Sequence, residues 1–166
     1  VDDFIDISDD SSQRPGNITL STWFKTTQAT NARIICKPIV AAANQAYCLE
    51  INVDVANKVG IRIDRPVTKL ATSTTSVNDG LWHYAVGTND GSNLKIYVDG
   101  VLETTTAVTG AMAYDNNLNL QIGRFDSGAG QYFAGTIDEV AIWNRSLTAD
   151  EISNLYKRGA VELNLS

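Results

Sequence analysis

Apolar residues alternate with small polar residues along much of this chain, with the period of two that is typical of half-buried β-strands. Residues 18–25 (ITLSTWFK) show the alternation most clearly. Runs rich in β-branched and aromatic residues recur at the spacing expected of a β-sandwich. These runs are residues 4–7, 34–37, 46–54, 59–64, 81–88, 94–98, 118–122 and 136–143. The pattern predicts an all-β fold of two packed antiparallel sheets.

Asp99 and Gly100 form the clearest turn between two of these runs. Both residues tolerate a positive φ, which a two-residue hairpin between right-twisted strands requires. Residues 95–98 are therefore predicted to pair with residues 101–104.

One helix is predicted near the C-terminal end. Residues 148–151 (TADE) have the spacing of a capping box, with acidic residues at the positive end of the helix dipole. Ile152, Leu155 and Tyr156 follow as an apolar stripe, and Gly159 is expected to stop the helix. We expect this short helix to cover an edge or an end of the sandwich.

Length and charge narrow the function classes. The 166 residues fit one domain, and the net charge of −6 disfavours binding to nucleic acid and to anionic membranes. No apolar stretch approaches the roughly 20 residues that span a bilayer. The opening Val1-Asp2-Asp3 is neither an initiator methionine nor a signal peptide, so we expect a domain from a longer protein that carries covalently linked neighbours.

The two cysteines, Cys36 and Cys48, lie 12 positions apart, as expected of facing positions across a hairpin. A disulfide there would contribute about 3 kcal/mol in the chain-entropy model and would indicate an oxidising compartment. The alternative is two buried free thiols, because cysteine is often a plain core residue.

Three segments together resemble the laminin-G-like jelly-roll domains of the concanavalin A-like lectin/glucanase superfamily. They are residues 18–25 (ITLSTWFK), 80–100 (GLWHYAVGTNDGSNLKIYVDG) and 135–155 (GTIDEVAIWNRSLTADEISNL). The last segment also resembles pentraxins. The resemblance implies a two-sheet antiparallel jelly-roll β-sandwich with functional loops at one rim. It also implies a secreted or surface protein and suggests a bacterial source. Family members serve as sugar-binding modules, as adhesion modules and as modules without a known ligand.

A catalytic site is not expected. Glu50, Asn52 and Asp54 alternate on one predicted strand, but the middle position lacks a carboxylate, and a retaining glycosidase needs two carboxyl groups about 5 Å apart. We expect these acids to be solvated. His83 is the chain's one histidine, and no Gly-x-Ser-x-Gly elbow accompanies it, so we interpret it as a structural residue.

A structural calcium ion is the expected metal. One histidine and two cysteines cannot supply a zinc site, whereas calcium takes carboxylate and carbonyl oxygens, which are abundant here. The resemblance implies calcium bound by an aspartate of the last strand and by carbonyls of the N-terminal segment, which places Asp138 as a ligand. Residues 124–131 keep a single acid, which puts a pentraxin-type double calcium site in doubt.

Sugar binding requires exposed aromatic rings next to polar side chains, and the predicted loops contain both. The candidate ligand-binding residues are Tyr114, Asn116, Arg124, Asp126 and Tyr132, and Tyr47 is a further loop aromatic. The alternative for the loop tyrosines is a half-buried anchoring role. Trp23, Trp82, Tyr97 and Trp143 fall at apolar positions of strands, where core packing is expected.

The sequence thus predicts a non-catalytic, lectin-like module that binds a poly- or oligosaccharide in a shallow groove. Two other functions stay open. A protein-interaction or adhesion domain would show a contiguous apolar patch, whereas a structural spacer beside a catalytic domain would show neither this patch nor a row of exposed aromatics.

Overall fold

A computed structural model of the chain describes residues 3–39, 45–52, 54–64, 67–115, 117–125 and 131–165. Strands and one C-terminal helix make up most of the regular structure in these ranges. The elements are β1 (Ile5–Ile7), β2 (Ile18–Lys25), β3 (Ala32–Pro38), β4 (Gln45–Ile51), β5 (Val59–Ile63), β6 (Lys69–Thr72), β7 (Trp82–Asn89), β8 (Asn93–Val98), β9 (Val101–Ala107), β10 (Leu120–Ile122), β11 (Thr136–Trp143) and α1 (Ala149–Glu162).

The strands form two antiparallel sheets, as predicted. A six-stranded sheet has the order β1-β10-β3-β4-β5-β6, and a five-stranded sheet has the order β11-β2-β7-β8-β9. Neighbouring strands are often distant in sequence, which is typical of a jelly roll. The predicted jelly-roll β-sandwich with one C-terminal helix is therefore confirmed.

The main core lies between the two sheets. Inward side chains such as Leu20 and Ile96 of the five-stranded sheet share this core with Leu49 and Ile61 of the six-stranded sheet, and all four are fully buried. Gly87 leaves room for Ile61, because a Cβ at this glycine would lie 2.6 Å from the Ile61 side chain. Removal of this apolar surface from water is the main force that holds the sheets together.

Hydrogen bonds between the sheets close one lateral edge of the sandwich. The Thr104 hydroxyl donates to the Thr72 carbonyl at 2.7 Å, and the Thr106 hydroxyl donates to the Leu70 carbonyl at 3.0 Å. Strand β9 of one sheet is thus joined to β6 of the other.

The opposite lateral edge is open. Ile5 and Ile7 are paired with Ile122 and Leu120, and Leu120 belongs to the main core. Nevertheless Ile5 is 56% exposed and Ile7 is 40% exposed. The five-stranded sheet has one strand fewer than its partner, and β1 and β11 are the end strands of the two sheets.

A buried lysine anchors the N-terminal segment. The Lys37 side chain on β3 is 1% exposed, and its ammonium donates to Asp9 at 2.6 Å, to Gln13 at 2.7 Å and to the Leu118 carbonyl at 2.5 Å. A buried charge is costly without such partners. The three acceptors therefore join the N-terminal segment, β3 and the approach to β10.

Helix α1 covers the outer face of the five-stranded sheet, so the expectation that it covers an edge or an end of the sandwich is wrong. Its capping box is present as predicted: the Thr148 side chain accepts from the Glu151 amide at 3.3 Å, and the Glu151 carboxylate accepts from the Thr148 amide at 2.8 Å. Tyr156 stacks on Trp23 with 5.5 Å between the ring centroids. Ile152 is fully buried in the same cluster. No helix in the described ranges has the length and apolar character needed to cross a membrane.

The prediction that Gly159 stops the helix is wrong, because α1 continues to Glu162. Gly159 is buried against the sheet, and a Cβ at this position would lie 2.2 Å from Trp23 Nε1. The glycine therefore allows close approach of the helix to the indole.

The predicted hairpin and disulfide are confirmed. Asp99 and Gly100 connect β8 to β9 with φ values of 51° and 79°. Cys36 and Cys48 face each other on β3 and β4 with a Cα–Cα distance of 4.2 Å, and they form a disulfide. Phe125 covers this disulfide on the outer face of the six-stranded sheet.

We predict that Gly159→Ala destabilises the protein by about 1–3 kcal/mol, because overpacking against Trp23 outweighs the higher helix propensity of alanine. Gly16→Ala is the matched control, since nothing lies within 4 Å of a Cβ at this position. Urea unfolding of both variants measures the effect. Equal stability of Gly159→Ala and the parent protein would contradict the close approach.

Candidate functional site

One exposed aromatic ring packs against an ion pair beside the segment between β10 and β11, and a second exposed ring, that of Tyr132, lies across this segment from Arg124. Phe4 is 43% exposed and Tyr132 is 37% exposed. The Arg124 guanidinium carbon lies 3.7 Å from the centroid of the Phe4 ring, and Arg124 Nη2 lies 2.5 Å from Asp6 Oδ2. We call Phe4, Asp6, Arg124 and Tyr132 the aromatic rim.

The described parts of this connecting segment are held by buried aromatic residues. Phe125 packs on the disulfide, and Phe133 lies in the main core with its ring 6.1 Å from that of Phe24. The Phe133 amide donates to the Gly123 carbonyl at 2.9 Å. These contacts leave the neighbouring Tyr132 ring on the surface.

The N-terminal strand supplies the other half of the aromatic rim. Strand β1 pairs with β10, with Asp6 opposite Gln121, and this places the Asp6 carboxylate within reach of Arg124. Neither Phe4 nor Asp6 was expected to belong to the ligand site. Their role could not be read from local sequence, because it depends on pairing between strands that are distant in the chain.

Of the predicted ligand residues, Arg124 and Tyr132 belong to this rim, whereas Tyr114 lies elsewhere. Tyr114 is half-buried, its hydroxyl donates to the Pro15 carbonyl at 2.7 Å, and its ring lies 6.3 Å from that of Tyr47. This position is near the Lys37 end of β3, about 13 Å along the strand from the end that the rim borders. Tyr114 is thus an anchored loop residue.

Three further candidates do not contribute described side chains to the rim. Asn116 and Asp126 lie outside the described residues. Tyr47 is fully buried, so the expectation of an exposed loop ring is wrong for this residue. Its position on β4 directs the ring into the main core.

The outer face of the six-stranded sheet carries a buried ionic network. Glu50 lies 3.1 Å from Arg33 and 2.8 Å from Arg62, and its side chain is 1% exposed. Burial raises the pKa of the Glu50 carboxyl, while the two guanidinium groups oppose this effect. Phe125 contributes to the burial, since the Arg33 guanidinium lies 5.6 Å from its ring centroid.

The expectation of solvated, alternating strand acids is therefore wrong for Glu50. Strand β4 ends at Ile51, and Asn52 has a φ of 58°, so the alternation does not continue to Asp54. Asp54 remains exposed, at 3.4 Å from Arg62.

His83 is held between two aspartates at the start of β7. Its Nδ1 lies 2.9 Å from Asp99 Oδ2 and its Nε2 lies 3.2 Å from Asp79 Oδ1. The hydrogen bond to Asp99 raises the pKa of His83. These two contacts join the start of β7 to the turn between β8 and β9, where Asp99 lies.

The expected calcium ligand, Asp138, lines a cavity of about 350 Å³ between the open edges of the two sheets. Asp3 of the N-terminal segment lines the same cavity. Asp138 Oδ1 accepts from the Glu139 amide at 2.8 Å. Two carboxylates and nearby main-chain oxygens suit calcium rather than zinc. In the described ranges no three His, Cys, Asp or Glu side chains are grouped to hold a metal, so an ion here would also need carbonyl or water ligands.

Comparison with known proteins identifies the family and the fold. A laminin-G model described as the concanavalin A-like lectin/glucanases superfamily matches residues 1–153. A segment of 63 residues is 43% identical to the human (Homo sapiens) adhesion G-protein coupled receptor D1. This match covers 36% of this chain and 7% of the receptor.

Two solved structures have the same fold at low identity. A sialidase CBM40 module of Ruminococcus gnavus bound to α2,3-sialyllactose has a TM-score of 0.73 at 14% identity, over 88% of this chain and 85% of that chain. A native heptameric SAP-like pentraxin of Limulus polyphemus has a TM-score of 0.71 at 13% identity, over 92% of this chain and 74% of that chain.

We predict that His83 makes stability dependent on pH. Because the folded-state pKa of His83 is raised, its stabilisation is complete below the unfolded-state pKa, near 6.5, and is lost as the pH rises through the folded-state value. The difference in unfolding free energy between the parent protein and His83→Gln should be larger at about pH 5.5 than at about pH 9. Asp99→Asn should weaken this dependence. An equal difference at both pH values would refute the assignment.

Proposed function

Because the chain belongs to the concanavalin A-like lectin/glucanases superfamily, we propose that it is a non-catalytic carbohydrate-binding module of a secreted or cell-surface protein. The superfamily alone does not decide between its binding functions. The choice of a sugar ligand rests on the aromatic rim.

The aromatic rim carries the proposal because it combines the two kinds of group that sugars require. The face of Phe4 that Arg124 does not cover and the exposed ring of Tyr132 can stack on the apolar C–H face of a pyranose ring. Arg124 and Asp6 offer charged donors and acceptors for sugar hydroxyls, and charged groups form the stronger hydrogen bonds. Their ion pair holds the guanidinium in place before a ligand arrives. We also include Asp126 in the proposed site, by its place in the same segment.

The comparisons support a binding role of this class. The Ruminococcus gnavus module was solved with sialyllactose, and it shares the fold over most of both chains. A buried disulfide and partial similarity to an adhesion receptor agree with an extracellular setting. The chain spans a small part of that receptor, which agrees with a module that is covalently linked to neighbouring domains.

A protein-interaction or adhesion domain is the second candidate. The open lateral edge favours it, because Ile5 and Ile7 are exposed along the end strand β1. Unpaired main-chain groups at such an edge can pair with an extended segment of a partner.

We predict that Tyr132→Ala and Phe4→Ala each lower the affinity for the recognised polysaccharide about tenfold, since each variant removes a stacking ring. Affinity gels or a glycan array measure the loss, and circular dichroism verifies the fold. Tyr114→Phe is the control, because it removes one hydroxyl far from the rim. Full binding by Tyr132→Ala and Phe4→Ala, or no retention by the parent domain on a broad glycan panel, would refute the proposal.

We further propose that calcium binds between Asp138 and Asp3 and stabilises the open edge at that end. Calcium at 100 times its dissociation constant should raise the unfolding free energy by about 2.7 kcal/mol, and a chelator should reverse this. Asp138→Asn should abolish the response, whereas Asp54→Asn, at an exposed acid on the other sheet, should keep it. Thermal unfolding with and without calcium tests this, and an unchanged midpoint in the parent protein would exclude the site.

A further inference from the structure

A second groove, of about 410 Å³, lies where β11 ends against helix α1. We call it the helix groove. It lies beyond the far end of β11 from the aromatic rim, and the eight residues of β11 span about 23 Å. Its lining residues are Trp143, Arg145, Leu147, Glu151, Asn154, Leu155 and Arg158.

Trp143 provides a flat apolar wall. It is the last residue of β11 and is paired with Thr19, so its side chain lies on the outer face of the five-stranded sheet. There it packs beside the buried Leu147 and Ile152. The indole is half-buried, and its remaining surface lines the groove.

Helix α1 supplies the opposite wall through one of its faces. Glu151, Asn154, Leu155 and Arg158 follow the i, i+3, i+4, i+7 spacing that brings side chains to one side of a helix. Asn154 and Arg158 are exposed. The Arg158 guanidinium is therefore accessible to a ligand, and its charge also opposes the rise in the pKa of the nearby Glu139 carboxyl.

Arg145 is held at the end of the groove by a bidentate ion pair with Glu151. Its Nη1 lies 2.9 Å from Glu151 Oε2, and its Nη2 lies 2.7 Å from Glu151 Oε1. The hydrogen bond with Arg145 lowers the pKa of Glu151 to about 2, so the pair is ionised at neutral pH. Two of the five guanidinium N–H groups are used, and Arg145 is 53% exposed in its side chain.

These groups together favour one class of ligand. Two guanidinium groups and one carboxylate give the lining a net positive charge, although the whole chain has a net charge of −6. An indole face suits the C–H face of a sugar ring, a carboxamide suits hydroxyls, and arginine suits carboxylates. We propose that the helix groove is a second binding site, for an acidic sugar residue that carries its carboxylate on the ring, as uronic and sialic acids do.

The test is an NMR titration of the full 15N-labelled chain with methyl glucuronide. The chain has three tryptophans, so Trp143→Phe identifies the Trp143 indole signal. We expect that signal and the amides of Asn154 and Arg158 to shift. Methyl glucoside, which lacks the carboxylate, should bind at least about tenfold more weakly. Added salt should weaken the binding of methyl glucuronide.

Arg158→Gln should lower the glucuronide affinity about tenfold, because it removes a charged donor. Lys157→Gln is the matched control: it removes the same charge from an adjacent exposed residue that does not line the groove. Equal losses in the two variants would indicate general charge attraction and would overturn the proposal. Equal binding of glucoside and glucuronide, or of acetate and glucuronide, would also overturn it.

The proposals for the helix groove and for the aromatic rim can be refuted independently of each other. Tyr132→Ala should leave the glucuronide shifts at Trp143 unchanged, and shifts confined to Tyr132 and Arg124 would show that the rim alone binds the acidic sugar. Conversely, glycan retention that is lost in Tyr132→Ala and kept in Arg158→Gln would support the rim without supporting the groove.

Discussion

The buried ammonium of Lys37 is the group on which the position of the aromatic rim depends. Burial of this charge without partners would cost much free energy. The Asp9 and Gln13 side chains and the Leu118 carbonyl must therefore all lie in place when β3 is packed. This requirement fixes the N-terminal segment beside the strand that leads to the aromatic rim. Pairing of β1 with β10 then follows, and Phe4 and Asp6 meet Arg124. A charge inside the sandwich thereby organises a surface outside it.

Most of the fold could be predicted from local patterns. Alternation located most strands, and residue types with positive φ located the hairpin at Asp99 and Gly100. Strand β6 (Lys69–Thr72) was not predicted, because four residues with adjacent Leu70 and Ala71 show no clear alternation. This strand forms through pairing with β5. The role of Gly159 also could not be predicted from local sequence, because it depends on an indole that is distant in the chain.

The candidate site was less predictable, because exposure of a side chain is a tertiary property. Tyr47, Tyr114 and Tyr132 look alike in sequence as loop aromatics, yet one is fully buried, one is anchored by a hydrogen bond and one is exposed. Glu50 similarly resembles a surface acid in sequence, but it is buried between two arginines from neighbouring strands. Local sequence indicates which side chains can bind a ligand, and strand order decides which of them meet.

The placement of β1 also has a mechanical consequence. It is an end strand with three residue pairs to a single neighbour, whereas the C-terminal helix lies on the other sheet. Tension applied between the two ends of the chain would therefore load β1 before the inner strands. Its detachment would separate Phe4 and Asp6 from Arg124 and Tyr132 while the main core stays intact. The proposed ligand site would then come apart under force before the domain unfolds.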